Sequence, residues 1–156
     1  MKSFSTVQLV RAALIAAIYA ILALSFPEFS YGIIQFRLSE ALVLLPLFFP
    51  EAIPGLIVGC FLANLGSPFG IIDILGGTLC TAAAAYLTYR FRHNTIIAAA
   101  APIVINGFGV SAYVAFLSQE MYFAVVPFIM LSEAVVVVVL ALPLAILAAR
   151  SIRVSQ

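Results

Sequence analysis

From Phe123 to Ala149 the chain is apolar but for one charged side chain, Glu133. A helix needs about 20 such residues to cross a bilayer, so this run is long enough to span. Glu133 lies about ten residues from its start. A carboxylate at that depth costs at least about 2.5 kcal/mol, so its first reading is a functional group facing the protein interior. Other charges sit at similar cost. Arg37 and Glu40 open one apolar segment, and Asp73 opens another.

Only 8% of the 156 residues are charged and 65% are hydrophobic, where a soluble domain carries about 25% charge. This composition predicts an integral membrane protein with an all-α fold, built as a single transmembrane domain over residues 1–156. The net charge of +1 leaves no electrostatic footprint for nucleic acid. Cys60 and Cys80 fall within apolar segments without metal-ligand spacing and read as buried free thiols. His93 sits in a charged loop and reads as a solvated residue. The apolar run to Phe26 lacks a small-residue cleavage site, so it reads as a first helix and not a signal peptide.

Six apolar segments follow one another: 8–26, 38–49, 52–65, 71–89, 95–118 and 122–149. The second and third are short for spans and are punctuated by Pro46, Pro50 and Pro54. They predict two short helices in a hairpin about Pro50 and Glu51, or a re-entrant pair. Lys2, Arg11, Arg90, Arg92, Arg150 and Arg153 flank the segments so that six spans place six of the seven basic residues on one side. By the positive-inside rule that side is cytoplasmic, which predicts a multi-pass protein of the cell membrane with both termini inside. Arg37 is the one base left outside.

In that orientation Glu28, Tyr31, Gln35, Arg37, Glu40, Asn64, Asp73 and Glu120 fall near the outer face. Asn106 and Glu133 each lie about 17–18 Å below the outer end of their helices. Polar groups at matching depth on adjacent helices predict one pocket, open outward and floored near the midplane. The alternative is a hydrogen bond between Asn106 and Glu133 that only joins two helices. The stretch Phe26–Gln35 and the turn Gly66–Gly70 could lid the pocket, with Tyr31, Phe29 or Phe69 stacking on a flat ligand, or could be plain connectors.

Ala12, Ala16 and Ala20 recur at spacing four on the first helix, with Ala13 and Ala17 beside them. Small residues at that spacing let a second helix approach closely, either a partner's or one within the bundle. No GxxxxGK[ST] loop, HExxH motif or Ser-His-Asp set occurs, which disfavours an enzyme and points to no metal or cofactor. The halves of the chain show no repeat of the kind inverted-repeat transporters carry.

The run Ile34-Gln-Phe-Arg-Leu-Ser-Glu-Ala-Leu42, then Pro46, Ala52-Ile-Pro-Gly-Leu-Ile-Val-Gly-Cys60, Ala63-Asn64 and Asp73-Ile-Leu-Gly-Gly-Thr-Leu-Cys-Thr81 resembles the QueT family. The resemblance implies a substrate-binding S component of an energy-coupling factor (ECF) importer for queuosine precursors. It implies a transmembrane coupling subunit and two cytoplasmic ATPases as partners, with Ala12, Ala16 and Ala20 contacting the coupling subunit. ATP hydrolysis would then sit in those separate subunits. A 7-deazaguanine such as preQ1 offers adjacent N–H donors that a carboxylate accepts in pairs. Its aminomethyl cation would seek a second acid. The expected substrate-binding residues are Glu133, Glu40, Asn106, Asp73, Arg37, Gln35, Asn64 and Tyr31. An excess of acids also suits a thiamine-like cation, so an S component for another vitamin or nucleobase remains open, as does a membrane scaffold whose acids hold helices together.

Overall fold

The computed structural model describes residues 4–26 and 36–154, with side chains described to Arg150. Among these residues there are six α-helices and no strand. Helix α1 (Thr6–Ser25) begins at a capping box. The Ser5 amide donates to Gln8 Oε1 at 2.9 Å, and the Gln8 amide donates to Ser5 Oγ at 3.3 Å. Two orphan donors of the first turn are thereby satisfied. Helix α2 (Ala52–Asn64) is short, α3 spans Ile71–Arg90 and α4 spans Thr95–Ser118. Helix α5 (Tyr122–Val136) passes through a π-turn (Val137–Ala141) into α6 (Leu142–Val154). Pro143 follows that turn and has no N–H to continue the regular ladder, a common setting for such a bulge. Helices α1, α3, α4 and the α5–α6 rod are each long and apolar enough to cross a membrane.

Segment 38–49 is not the short α-helix expected. It forms two 3-10 turns, Leu38–Leu42 and Leu45–Leu47. A 3-10 turn rises about 2.0 Å per residue against 1.5 Å in an α-helix, so few residues cover a long path. The segment starts where Arg37 meets Asn64 and Asp73 and ends where Glu51 meets Arg11. It therefore runs antiparallel to α2 and turns at Pro50 and Glu51, the hairpin position expected. It is also the central post of the bundle, packing against α1, α3, α5, α6 and the π-turn. Val43 and Leu44 are accordingly buried.

Helix α1 packs on α2 and on this post at the edge of the bundle. Its buried stripe is Ile15, Ala16, Tyr19 and Ala23. The facing positions on α2 are Gly55 and Gly59. A Cβ at Gly55 would stand 2.7 Å from the Ala12 carbonyl oxygen, and one at Gly59 would stand 2.8 Å from Tyr19 Cβ and 2.9 Å from the Ala16 carbonyl oxygen. Small residues on both sides of the seam bring the two backbones together. Thr88 supplies a further helix joint. Its hydroxyl donates at 3.2 Å to the Ala98 carbonyl. That carbonyl is four residues before Pro102 and so lacks its usual helical donor.

Consecutive elements alternate in direction across short connections. Arg11, Arg90, Arg92 and Arg150 therefore collect at one end, and Arg37 with Asp73 lies at the other.

Candidate functional site

Twelve polar or charged residues are buried among the described residues, and most of them lie in or beside one set of contacts. Arg37, at the entry to the central post, donates through Nη2 to Asn64 Oδ1 at 3.3 Å and to both Asp73 carboxylate oxygens at 3.4 Å. Tyr113 on α4 donates to Asp73 Oδ1 at 2.5 Å. Asn64 Nδ2 donates to the Asp73 carbonyl at 3.0 Å, tying the end of α2 to the start of α3. Gly77 makes room for this cluster, since a Cβ there would stand 2.6 Å from Asn64 Nδ2 and 3.1 Å from Asp73 Oδ1.

Two further carboxylates flank the guanidinium. Tyr19 on α1 donates to Glu40 Oε1 at 2.5 Å. Glu40 Oε2 is buried and has no partner among the described residues. Deeper in the bundle, Asn106 Nδ2 on α4 donates to Glu133 Oε1 on α5 at 3.1 Å, while Asn106 Oδ1 is buried without a partner among the described residues. Glu133 lies within electrostatic reach of both Glu40 and Arg37. Arg37, Asn106, Val110, Ile129 and Glu133 line one small cavity of about 10 Å³. That is room for about one water. Two larger grooves, about 220 and 430 Å³, are lined almost wholly by apolar residues of the opposite half and hold none of these acids. The buried acids and the guanidinium border the small cavity, which makes it the candidate site.

The structure thus gathers Arg37, Glu40, Asn64, Asp73, Asn106 and Glu133. Tyr31 and Gln35, with Glu28 and Phe29, lie outside the described residues. Glu120 is exposed at the α4–α5 turn. Among the described residues the cavity beside Arg37 holds about 10 Å³, less than a base fills; segment 27–35, where the expected pocket would open, lies outside them. The Asn106–Glu133 hydrogen bond does join two helices, as the alternative reading had it, and it also borders the cavity that Arg37 enters.

Sequence reasoning missed Tyr19, Tyr113 and Ser39. Each tyrosine counts as apolar in a hydropathy profile, yet each places its hydroxyl on a buried acid. Their signal was a phenol in the interior of a spanning helix. Ser39 Oγ is a third buried polar atom without a partner among the described residues. Cys60 accepts from Thr81 Oγ1 at 3.2 Å and from Asn64 Nδ2 at 3.4 Å, so it is a free, buried thiol beneath the cluster, while Cys80 is free and half-buried.

The alanine face divides. Ala16 is 6% exposed and packs on α2. Ala12 and Ala20 are half-buried along the same seam, and Ala13 and Ala17 face outward. At Ala16 the close approach is internal to the chain.

Comparison with known proteins bears on what this geometry serves. The model of the QueT transporter family matches residues 9–150, nearly the full chain. The chain belongs to the QueT transporter family. With its four long apolar helices, this family member is a membrane protein. It is 37% identical over 83 residues to a protein named queuosine precursor transporter QueT from Lactococcus lactis subsp. cremoris (strain MG1363). That match covers 52% of this chain and 48% of the relative, so about half the length of each is compared. No solved structure matches the chain.

Proposed function

We propose that this QueT family member is the membrane-embedded capture subunit of an ECF-type importer and that its ligand is a queuosine precursor, a 7-deazaguanine carrying a cationic amine such as preQ1. The observation that carries the reading is the charge balance of the buried cluster. Glu40, Asp73 and Glu133 are buried within electrostatic reach of one guanidinium, Arg37, which pairs with Asp73. Residues 27–35 add no lysine or arginine. Protons on the acids, or a cationic ligand that displaces them, must then balance the cluster.

Asp73 is engaged by Arg37 and Tyr113, so Glu40 and Glu133 are the acids left to bind ligand. The open Oε2 of Glu40 and Oδ1 of Asn106 are acceptors in want of donors. A guanine-like edge provides paired N–H donors, and an aminomethyl group provides a charged one. Gln35 and Tyr31 complete the proposed site from the segment leading into Arg37. The positive-inside rule sets the Arg37 end outside and both termini in the cytoplasm. ATP hydrolysis falls to two separate ATPases joined through a coupling subunit, in keeping with the lack of a P-loop here. Helix α1, at the bundle edge, is the proposed contact with that subunit, through its outward Ala13 and Ala17 and the half-buried Ala12 and Ala20.

A thermal-shift screen of the purified protein tests the reading. Deazaguanines with an aminomethyl group should raise the melting temperature, and thiamine, riboflavin and biotin should not. A response to thiamine alone would assign another vitamin. A protein that responds to none is a scaffold.

A further inference from the structure

The two large apolar grooves take no part in the site above, and they lie on either side of one stretch of α4. The first, about 220 Å³, is lined by Leu87, Phe91, Ile97, Ala101, Val104 and Ala100 among others. The second, about 430 Å³, is lined by Ile96, Ala99, Ile103, Val137, Leu142 and again Ala100. The alanine run 98–101 makes them. Ala98 and Ala99 are buried against neighbouring elements, Ala100 faces out, and none fills the space beside it. Ile96, at the mouth of the second groove, is 82% exposed.

Both grooves open beside the loop that joins α3 to α4. Phe91 lines the first, and the Arg90 guanidinium lies 6.0 Å from its ring. Arg92 stacks 4.4 Å over Tyr89 and, like Arg90, forms no ion pair among the described residues. None of the six acids of the chain lies in residues 87–105. Uncompensated positive charge therefore sits at the end of two apolar grooves.

We infer that this face of α4 holds one anionic phospholipid from the leaflet bordering Arg90, with one acyl chain in each groove and its phosphate at Arg90 and Arg92. Depth agrees with a single leaflet. From Ile97 to Ile105 the first groove follows α4 for about 12 Å, within the roughly 15 Å of one leaflet's hydrocarbon. Placement argues against a partner helix, because the two grooves share Ala100 and diverge from it toward α3 and toward the π-turn. A helix is about 10–12 Å across and would occupy one side of α4, whereas two thin chains joined at a head can straddle it.

Native mass spectrometry of the full-length protein, titrated with phosphatidylglycerol or phosphatidylcholine, tests this. Wild type should bind the first lipid phosphatidylglycerol about 30-fold more tightly, the preference that two arginines beside an anionic headgroup supply. The double variant Arg90→Gln, Arg92→Gln should bind both lipids alike, while Arg150→Gln should keep the wild-type preference. Ala100→Phe, which fills both grooves from an exposed position, should weaken both lipids together. Equal binding of the two lipids to wild type would overturn the inference, as would loss of preference in Arg150→Gln alone. If Ala100→Phe leaves lipid binding intact but abolishes co-purification of a coupling subunit, the grooves belong to that protein and the lipid assignment is wrong. A normal melting transition in each variant, measured alongside, separates these results from misfolding.

Discussion

Tyr19→Phe removes one hydroxyl and leaves the ring that packs α1 against α2. The hydroxyl donates to Glu40 Oε1 at 2.5 Å, from a side chain only 1% exposed. A hydrogen bond to a charged group is worth about 1.5–3 kcal/mol, more than a neutral one. With its tether gone, Glu40 is free to turn and its Oε2 no longer has a fixed direction. If a ligand uses that oxygen, the loss appears in affinity, where about 1.4 kcal/mol is tenfold. The expected weakening for preQ1 is therefore about 10- to 150-fold. Thr88→Val is the control. It strips a buried hydroxyl from the Ala98 carbonyl, far from the acids, and leaves that carbonyl without a donor. It should cost about 1–3 kcal/mol of stability and nothing in affinity. Calorimetric titration of both variants, with melting curves alongside, reads the two effects separately. Wild-type affinity in a well-folded Tyr19→Phe protein would refute the role given to Glu40.

Three other outcomes follow from the same contacts. Gly59→Leu should separate α1 from α2, because even a Cβ there would stand 2.8 Å from Tyr19 Cβ; the melting temperature should fall and ligand binding should fall with it. Ala13→Leu with Ala17→Leu alters the outward side of α1, so it should reduce co-purification of a coupling subunit while ligand affinity stays at the wild-type value; unchanged co-purification would remove α1 from that interface. A single cysteine replacing His93, in a background without Cys60 and Cys80, should resist an impermeant thiol reagent applied to intact cells, and rapid labelling would reverse the proposed orientation.

The apolar runs made the long helices legible, and depth counting placed Asn106 and Glu133 at one level, where they are hydrogen-bonded. Other features had no such signal. Hydropathy does not separate an α-helix from a 3-10 segment, so the central post at 38–47 read as a short helix. Its true form follows from its need to run beside α2 between Arg37 and Glu51, a tertiary constraint. The alanine spacing on α1 correctly marked a close-packed seam, but spacing alone does not name the partner. Gly55 and Gly59 on α2 fit the Ala12–Ala16 backbone, which turns Ala16 inward. Tyr19 and Tyr113 offered only a phenol within a spanning helix, because the acids they bond are distant in sequence. The reach of Arg37 to Asn64 and Asp73 across the bundle was also beyond sequence.

Glu133 carries the central claim, and Glu133→Gln tests it with least change of shape. The amide can still meet Asn106, so helix packing is kept while the negative charge is removed. Losing a charged hydrogen bond to a buried ligand costs about 2–5 kcal/mol, or about 30-fold or more in affinity. Titration of purified wild type and Glu133→Gln with preQ1 should show that loss at an unchanged melting temperature. Equal affinity in the two proteins would make Glu133 a helix joint and contradict its place in a ligand site.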